Sequence, residues 1–183
     1  MAGVPSLDRQ VSADLTDDRA APDEFRALMA TFPTGVAIIT ATDREGRQHG
    51  LTCTSLCPVT LDPPTLLVCL NLLSGTLGGV EDAGGFAVNL LHDRGRSAAD
   101  VFSSAVPDRF GRTRWRPSPR VRQPWLVDDA FAVAECRVAG ISVVGDHAVV
   151  LGEIVNIEQA PDMPLLYGMR RFARWWPDQA PVG

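Results

Sequence analysis

The chain has 183 residues, of which 45% are hydrophobic and 21% are charged, and its net charge is −5 at pH 7. This composition is that of an ordinary globular protein with one domain, and the negative charge argues against nonspecific nucleic-acid binding. The chain does not open with a basic segment followed by an apolar one, so no signal peptide is evident and we expect a cytoplasmic location.

The first element predicted along the chain is a short helix that begins at Pro22, after a flexible tail over residues 1–21. Proline suits the first turn of a helix, and the two acidic residues that follow suit its positive end. We expect the domain to extend over residues 22–176, with a second tail over residues 177–183. We interpret the apolar face of the helix as core packing; it consists of Phe25, Leu28, Met29 and Phe32.

A strand over residues 36–42 and a turn over residues 43–48 lead to a pair of strands. The first of the pair, residues 51–61, alternates loosely with period two. The second, residues 65–72, is almost continuously apolar but far too short to span a membrane. Residues 62–64, Asp-Pro-Pro, predict the turn between them, because proline cannot donate a ladder hydrogen bond.

The first strand of this pair is rich in hydroxyl groups, which belong to Thr52, Thr54, Ser55 and Thr60. Short hydroxyl side chains and accessible backbone N–H groups suit a planar ligand with polar edges, or a phosphate. The alternative is an ordinary strand with its polar face in water, since threonine is a favoured strand residue.

A weak helix is predicted after residue 72, where Ser74 and Thr76 are candidates for capping the helix or for binding an anion at its start. A strand over residues 86–91 and a helix over residues 97–103 follow. Residues 107–124 are irregular and crowded with arginine, which is usual for a solvated face but also suits a phosphate.

Strands over residues 131–138 and 147–157, with a turn over residues 140–145, and one last short strand complete the pattern. The chain then becomes basic and aromatic, and the pair Trp175-Trp176 is expected to pack on a neighbouring subunit. About seven short strands predict an antiparallel barrel or sandwich. No G-x-G-x-x-G motif follows a strand and opens a helix, which argues against a Rossmann fold.

The cysteines form no C-x-x-C pair and lie inside predicted strands. We interpret them as buried free thiols rather than as disulfides or zinc ligands, so no metal site is expected; they are Cys53, Cys57, Cys69 and Cys136.

Four segments in a fixed order give the chain a resemblance to a known family. They are Pro33-Thr34-Gly35-Val36; the stretch from Gly50-Leu51-Thr52-Cys53-Thr54-Ser55 through Pro63-Pro64 to Cys69-Leu70-Asn71; Gly85-Phe86-Ala87-Val88-Asn89; and Gly145-Asp146-His147. Over most of its length the chain resembles the flavin reductase-like family, the small reductase components of two-component flavin-dependent monooxygenases. The resemblance implies a mainly β, FMN-binding split barrel of Greek-key type with a few short helices, which forms a homodimer with the flavin near the subunit interface.

The resemblance also implies roles for individual residues. The residues that would approach the isoalloxazine ring are Pro33, Thr34 and Gly35. Those that would contact the flavin through backbone and hydroxyl groups are Thr52, Cys53, Thr54 and Ser55, and those by the ribityl chain and phosphate are Asn71, Ser74 and Thr76. The pair at the cofactor entrance would be Arg109 and Phe110, and the nicotinamide would lie beside His147.

The implied activity is hydride transfer from NADH or NADPH to FMN or FAD, with the reduced flavin passed to a partner monooxygenase. Two departures from the family pattern leave an alternative open, a split-barrel protein that serves as a flavin carrier or a scaffold without reductase activity. Pro58 stands where the family usually has Ser, and Leu72 where it usually has Arg or Lys. In the same way, His147 is either a nicotinamide contact or a surface residue.

Overall fold

The computed structural model describes residues 19–176, and apart from residues 19–21 the two predicted tails lie outside this part. Its helices are α1 Pro22–Ala30, α2 Gly75–Ala83 and α3 Arg96–Ser103. Its strands are β1 Thr34–Gly35, β2 Ala37–Thr42, β3 Gln48–Cys53, β4 Cys57–Leu61, β5 Pro64–Asn71, β6 Gly85–Leu91, β7 Trp115–Pro117, β8 Pro124–Leu126, β9 Ala130–Val144, β10 His147–Gln159, β11 Leu165–Gly168 and β12 Arg171–Arg174. None of the described helices has the length and apolar character needed to cross a membrane.

The main sheet has seven antiparallel strands in the order β3-β2-β6-β9-β10-β5-β4. Its two edge strands, β3 and β4, are neighbours in the chain and are joined only by residues 54–56. This link is so short that it spans at most about 14 Å, so the two edges of the sheet curl toward each other. The sheet is therefore a barrel that stays unpaired along one line, which we call the seam, and residues 54–56 are the seam residues. The predicted antiparallel barrel is confirmed.

Both faces of the sheet are buried at β2, where five of the six residues are buried. Ile39 packs in one cluster with Val68 and Phe86, whereas its neighbour Ile38 packs in a second cluster with Phe102 of α3. Alternate side chains of a strand point to opposite faces, so one strand serves two cores.

A buried carboxylate fastens the loop between β7 and β8 to the sheet. Glu135 of β9 is fully buried, and its Oε2 accepts hydrogen bonds from the Ser118 hydroxyl at 2.7 Å and from the N–H groups of Arg120 and Val121 at 2.8 and 2.7 Å. Its Oε1 accepts one from the Asn156 side chain at 2.8 Å. Burial alone would raise the pKa of Glu135, but these donors bring it below its usual value.

The prediction of a single strand over residues 51–61 is wrong, because the chain leaves β3 at the seam and starts a new strand, β4, on the opposite edge. The turn at residues 62–64 and the strand after it are confirmed. The predicted turn over residues 140–145 is also wrong: β9 stays paired with β10 through Val144, and the reversal takes place at Gly145, whose φ is +60°. The described chain has twelve strands rather than about seven, because β1, β7, β8 and β12 were not predicted and the predicted strand over residues 51–61 divides into β3 and β4.

The apolar face of α1 lies on the surface, so the prediction that it packs into the core is wrong. The helix begins at Pro22 as predicted, but Phe25, Leu28, Met29 and Phe32 are 59, 65, 45 and 62% exposed. An amphipathic pattern shows that a helix face needs cover without showing what covers it.

The prediction of four buried thiols holds for Cys53 and Cys136 only. Cys69 is partly buried, and Cys57 is exposed on β4, where every residue is exposed. All four are free cysteines, as predicted.

Candidate functional site

A cleft of about 790 Å³ opens beside the seam, and we call it the main cleft. Its walls are β3 with the seam, the end of β5 with the start of α2, and the segment from the end of α3 to residue 110. The sequence-predicted site residues that it gathers are Thr52, Cys53, Thr54, Ser55, Asn71, Ser74, Thr76, Arg109, Phe110 and His147.

The start of α2 forms one end of the main cleft. Ser74 caps the helix as predicted, because its Oγ accepts a hydrogen bond from the Thr76 N–H at 3.1 Å. The side-chain oxygen of Asn71 accepts a hydrogen bond from the Leu73 N–H at 2.8 Å and so fixes the turn into the helix. The N–H groups of a first helical turn are partly positive, so this end of the cleft suits an anion such as a phosphate.

The strand β3 lines the cleft, and two aromatic rings from other parts of the chain pack closely against this strand. The Thr52 hydroxyl donates to the Ala99 carbonyl of α3 at 2.7 Å. A Cβ on Gly50 would lie 2.7 Å from the ring of Phe102 and 3.2 Å from that of Phe110, so only glycine allows this approach. The two rings meet edge to face with their centroids 5.1 Å apart. This packing gives the cleft a rigid wall.

Arg109 ties the segment before residue 110 to β3. Its guanidinium donates to the carbonyl oxygens of Gly50, at 2.8 Å, and of Ser104. Its Nε is buried and has no hydrogen-bond partner among the described residues. Arg109 therefore fixes one wall of the main cleft and leaves a donor unused.

The other arginines of residues 107–124 are placed differently. Arg114 pairs with Asp128 at 2.6 Å, and the guanidinium of Arg116 lies 4.2 Å from the ring centroid of Trp125. These contacts are at the surface, as expected of a solvated face, whereas Arg109 lines the cleft.

Ser55 joins the seam to β5 through its side chain. Its Oγ donates to the Cys69 carbonyl and accepts from the Cys69 N–H, both at 3.1 Å, and so replaces ladder hydrogen bonds that the seam lacks. Thr54 is exposed and lines the cleft.

We expect Ser55→Ala to lower the free energy of unfolding by about 0.5–1.5 kcal/mol, because both backbone groups of Cys69 lose a partner at an exposed site. The matched control on the neighbouring residue, Thr54→Ala, should change it by no more than about 0.5 kcal/mol. Urea unfolding followed by tryptophan fluorescence measures both variants. Equal stability of the two would show that the Ser55 hydroxyl does not hold the seam.

His147 begins β10 opposite Asn71 and lines the main cleft with 46% of its side chain exposed. Its Nδ1 lies 2.7 Å from the carboxylate of Asp146, and this hydrogen bond lowers the pKa of Asp146. Because Nδ1 is occupied, Nε2 is the ring nitrogen available to a ligand.

Sequence reasoning missed His49, which lines the main cleft beside α2. A Cβ on Gly79 would lie 2.9 Å from its ring, so the helix and the imidazole are in close contact. Its Nε2 lies 2.9 Å from the carboxylate of Asp43, and this hydrogen bond is the main cause that holds the pKa of Asp43 far below its usual value. The signal that could have found His49 is its place on the same strand as Thr52.

The structure does not bring Pro33, Thr34 and Gly35 into the main cleft. Thr34 of β1 pairs with Tyr167 of β11 and lines a second cleft, of about 740 Å³, which has the apolar face of α1 as a wall. Thr54 and Ser55 line both clefts, so the two adjoin at the seam. A flavin contact of these three residues stays a prediction.

Comparison with known proteins decides the family. The family model described as flavin reductase like domain matches residues 29–175. The chain belongs to the flavin reductase-like family. This flavin reductase-like chain is 61% identical over 155 residues to a flavin reductase (NADPH) of Lentzea aerocolonigenes, a match that covers 85% of this chain and 91% of that protein. A flavin reductase (NADH) of Kitasatospora aureofaciens is 39% identical over 97% of this chain and 94% of its own length.

Solved structures of flavin reductase-like proteins share the fold. The NADH:FAD oxidoreductase SgcE6 of Streptomyces globisporus C-1027, in complex with NAD and FAD fragments, has a TM-score of 0.81 at 29% identity, and the match covers 92% of this chain and 100% of that chain. A nitrilotriacetate monooxygenase component B from Mycobacterium thermoresistibile has a TM-score of 0.80 at 32% identity, with 88% and 90% covered. The predicted family and the split-barrel fold are thereby confirmed.

Proposed function

We propose that this chain is an NAD(P)H-dependent flavin reductase, which transfers a hydride from NADH or NADPH to FMN or FAD and supplies the reduced flavin to a partner monooxygenase. The observation that carries the proposal is the main cleft, which joins a capped helix start, a hydroxyl-lined strand and His147 in one space. Relatives named flavin reductase (NADPH), flavin reductase (NADH) and reductase subunit of a flavin-dependent monooxygenase support it.

A flavin fits the main cleft by size and by chemistry. Cofactor sites have volumes of about 300–1,000 Å³, and the cleft has about 790 Å³. The buried Nε of Arg109 is a donor without a partner in residues 19–176, and the start of α2 supplies N–H groups for a phosphate.

The residues of the cleft would bind and orient the flavin. Ser74 and Thr76 would place its phosphate at the start of α2, beside Asn71. The hydroxyls of Thr52 and Ser55 already have protein partners, so Thr54 offers the free hydroxyl on this wall. A bound flavin supplies the redox chemistry, accepting a hydride from the reduced nicotinamide. The chain would hold both ligands side by side, and a hydride transfer between them needs no protein nucleophile.

The two departures from the family pattern lie outside the main cleft. Pro58 is exposed on β4, opposite Leu66, and an edge strand tolerates a residue that lacks the N–H donor. Leu72 is 40% exposed, and the next residue, Leu73, lines the cleft instead. Neither departure therefore favours the alternative of a carrier or scaffold without reductase activity.

The test of the function is oxidation of NADH and of NADPH in air, followed by the loss of nucleotide absorbance with FMN or FAD added. We expect oxidation that depends on the flavin. If neither nucleotide is oxidised with either flavin, the reductase proposal fails, and flavin binding without turnover would support the carrier alternative.

We expect His147→Ala to raise the nucleotide concentration needed for half-maximal flavin reduction by a few-fold to about tenfold, the value of one lost hydrogen bond. When Asp146 accepts the Nδ1 proton, Nε2 is left as an acceptor, which suits positioning of the nicotinamide amide, and hydride transfer needs no general acid. Stopped-flow flavin reduction against nucleotide concentration measures the effect, and flavin affinity should be nearly unchanged. His147→Gln, which keeps a donor and an acceptor, should restore part of the loss. Unchanged reduction at every concentration would remove His147 from the site.

The exposed apolar residues support a homodimer that buries the face of α1. Phe25, Met29 and Phe32 line the second cleft together with the seam residue Leu56, and Trp175 and Trp176 are 54 and 81% exposed. The apolar residues that share the second cleft form an exposed patch, and such a patch marks an interaction site. Because the second cleft adjoins the main cleft at the seam, a subunit that covers α1 would stand next to the flavin site.

A cytoplasmic location stays a prediction.

We expect light scattering to give twice the mass of the 19.7 kDa chain. Phe25→Glu should yield a monomer, because it places a charge in the apolar face. The matched control Ala27→Glu adds the same charge to the opposite face of the same helix and should stay dimeric. A parent that is monomeric at micromolar concentration would contradict the homodimer.

A further inference from the structure

A third cleft, of about 670 Å³, adjoins the main cleft and is lined by Arg96, Arg170, Arg171, Asp100, Tyr167 and Phe172; we call it the arginine cleft. The two clefts share Thr52, Thr54 and Ser103 in their walls. A ligand that lies over the flavin in the main cleft therefore has a direct path into the arginine cleft.

The charge of the arginine cleft is strongly positive. Arg96 lies 3.7 Å from Asp100 and 5.4 Å from the ring centroid of Phe172, so these two contacts hold it in place. Arg170 and Arg171 are exposed and form no ion pair with any of residues 19–176. The cleft is thus lined by three guanidinium groups and one carboxylate, and only Arg96 lies near that carboxylate, in a chain whose net charge is −5.

Arg170 occupies a position that its backbone does not favour. It follows Met169 in the two-residue turn between β11 and β12. The φ of Met169 is +51° and that of Arg170 is +59°. Turns of this kind favour Asn and Gly, since other side chains adopt positive φ only at a cost. The Met169 N–H donates to the Ala30 carbonyl at 2.6 Å and fixes the turn beside α1.

Arg96 is locally unfavourable for a different reason. It is the first residue of α3, where the partial charge of the helix is positive and an acidic residue would be stabilising. Arg170 and Arg96 both line the arginine cleft, and neither residue is favourable for the stability of the turn or helix in which it lies. A strained backbone such as that of Arg170 is typical of residues that serve a ligand.

We propose that the arginine cleft binds the adenosine end of NADPH through its 2′-phosphate, and that Arg170 and Arg171 make the enzyme prefer NADPH to NADH. The proposal rests on the proposed function, which places the nicotinamide in the main cleft. Guanidinium groups match a phosphate with paired donors, and the 2′-phosphate is the group that NADH lacks. Tyr167 and Phe172, whose ring centroids lie 5.3 Å apart, add aromatic surface for the adenine.

The test compares kcat/KM for NADPH and NADH in the parent and in a variant carrying Arg170→Ala and Arg171→Ala. We expect the parent to prefer NADPH, and the variant to lose about tenfold or more in kcat/KM for NADPH but less than about twofold for NADH. The matched control is Arg174→Ala, on the same strand but outside the arginine cleft, and it should leave the ratio unchanged. A parent without preference, or an equal loss with both nucleotides, overturns the proposal while the reductase activity stands.

The adenylate of FAD offers the same adenosine phosphate chemistry, so each arm is run with FMN and with FAD. The variant could lose affinity for FAD but not for FMN, while the ratio of kcat/KM for NADPH and NADH stays unchanged. That result would assign the arginine cleft to the flavin and overturn the proposal. Calorimetric titration with adenosine 2′,5′-bisphosphate, against adenosine 5′-monophosphate, needs no turnover. The parent should bind the bisphosphate more tightly and the variant should not; equal binding by parent and variant overturns the proposal even if the reductase activity itself is absent.

Discussion

Arg109→Ala is expected to weaken the binding of FMN and of FAD by about 10- to 100-fold. Hydrogen bonds from a charged group contribute about 1.5–3 kcal/mol each, and Arg109 donates to the carbonyls of both Gly50 and Ser104. Without them the segment between α3 and Phe110 loses its attachment to β3, and one wall of the main cleft is no longer fixed. Quenching of flavin fluorescence on titration with the protein measures the affinity.

Two variants separate the attachment from the charge. Arg109→Lys keeps the charge, but an ammonium group does not reproduce the guanidinium fork that reaches two carbonyls, so it should lose most of the same affinity. Arg112→Ala removes an exposed arginine from the short 3-10 helix Phe110–Arg112, which directly follows Arg109, and should bind flavin like the parent. Flavin affinity that survives Arg109→Ala would show that the wall does not depend on this side chain.

Glu135→Ala is expected to lower the free energy of unfolding by about 3–5 kcal/mol, because it leaves several buried donors without an acceptor at once. The carboxylate accepts from Ser118, from the N–H groups of Arg120 and Val121, and from Asn156. Guanidinium chloride unfolding at neutral pH measures the change. Glu135→Gln keeps one oxygen for three of the donors and can pair with Asn156 after a flip of that amide, so it should lose much less. A loss below about 1 kcal/mol for the alanine variant would contradict the role of Glu135 in fastening the loop between β7 and β8 to the sheet.

The same carboxylate should make stability depend on acid pH. Hydrogen bonds hold the pKa of Glu135 below its usual value in the folded chain, whereas the unfolded chain has a glutamate pKa of about 4.3. The stabilisation is therefore complete above the unfolded pKa and is lost as the pH falls toward the folded one. Unfolding curves between neutral pH and acid should show a smaller decline for Glu135→Gln than for the parent. Parallel declines would mean that other groups cause the acid sensitivity.

The residues of the main cleft could be predicted because most of them lie on continuous segments with a recognisable order. Thr52 to Ser55 follow one another, and Ser74 and Thr76 stand at a helix start that their own chemistry marks. Arg109 was more difficult, since nothing within its arginine-rich segment separates it from Arg114 or Arg116. What sets it apart is that it lies against Gly50, a contact made by the fold and not by the local sequence.

The parts of the fold that could not be predicted depend on contacts with segments that are distant in the sequence or with another subunit. Residues 51–61 have the composition of one strand, and the break in them exists because the two halves join opposite edges of the sheet. The face of α1 has the same pattern whether a core or a subunit covers it. The strand β12 is basic and exposed, and only its pairing with β11 makes it a strand.

The seam has a consequence for the rate at which the product leaves. A barrel closed by a full ladder would have to break backbone hydrogen bonds before a bound molecule could pass between its strands. Here the described edges β3 and β4 do not pair with each other, and the seam residue Thr54 lines all three clefts. An exit past Thr54 would leave every ladder of the sheet intact, so we expect a reduced flavin bound in the main cleft to depart on the timescale of loop motion rather than of unfolding.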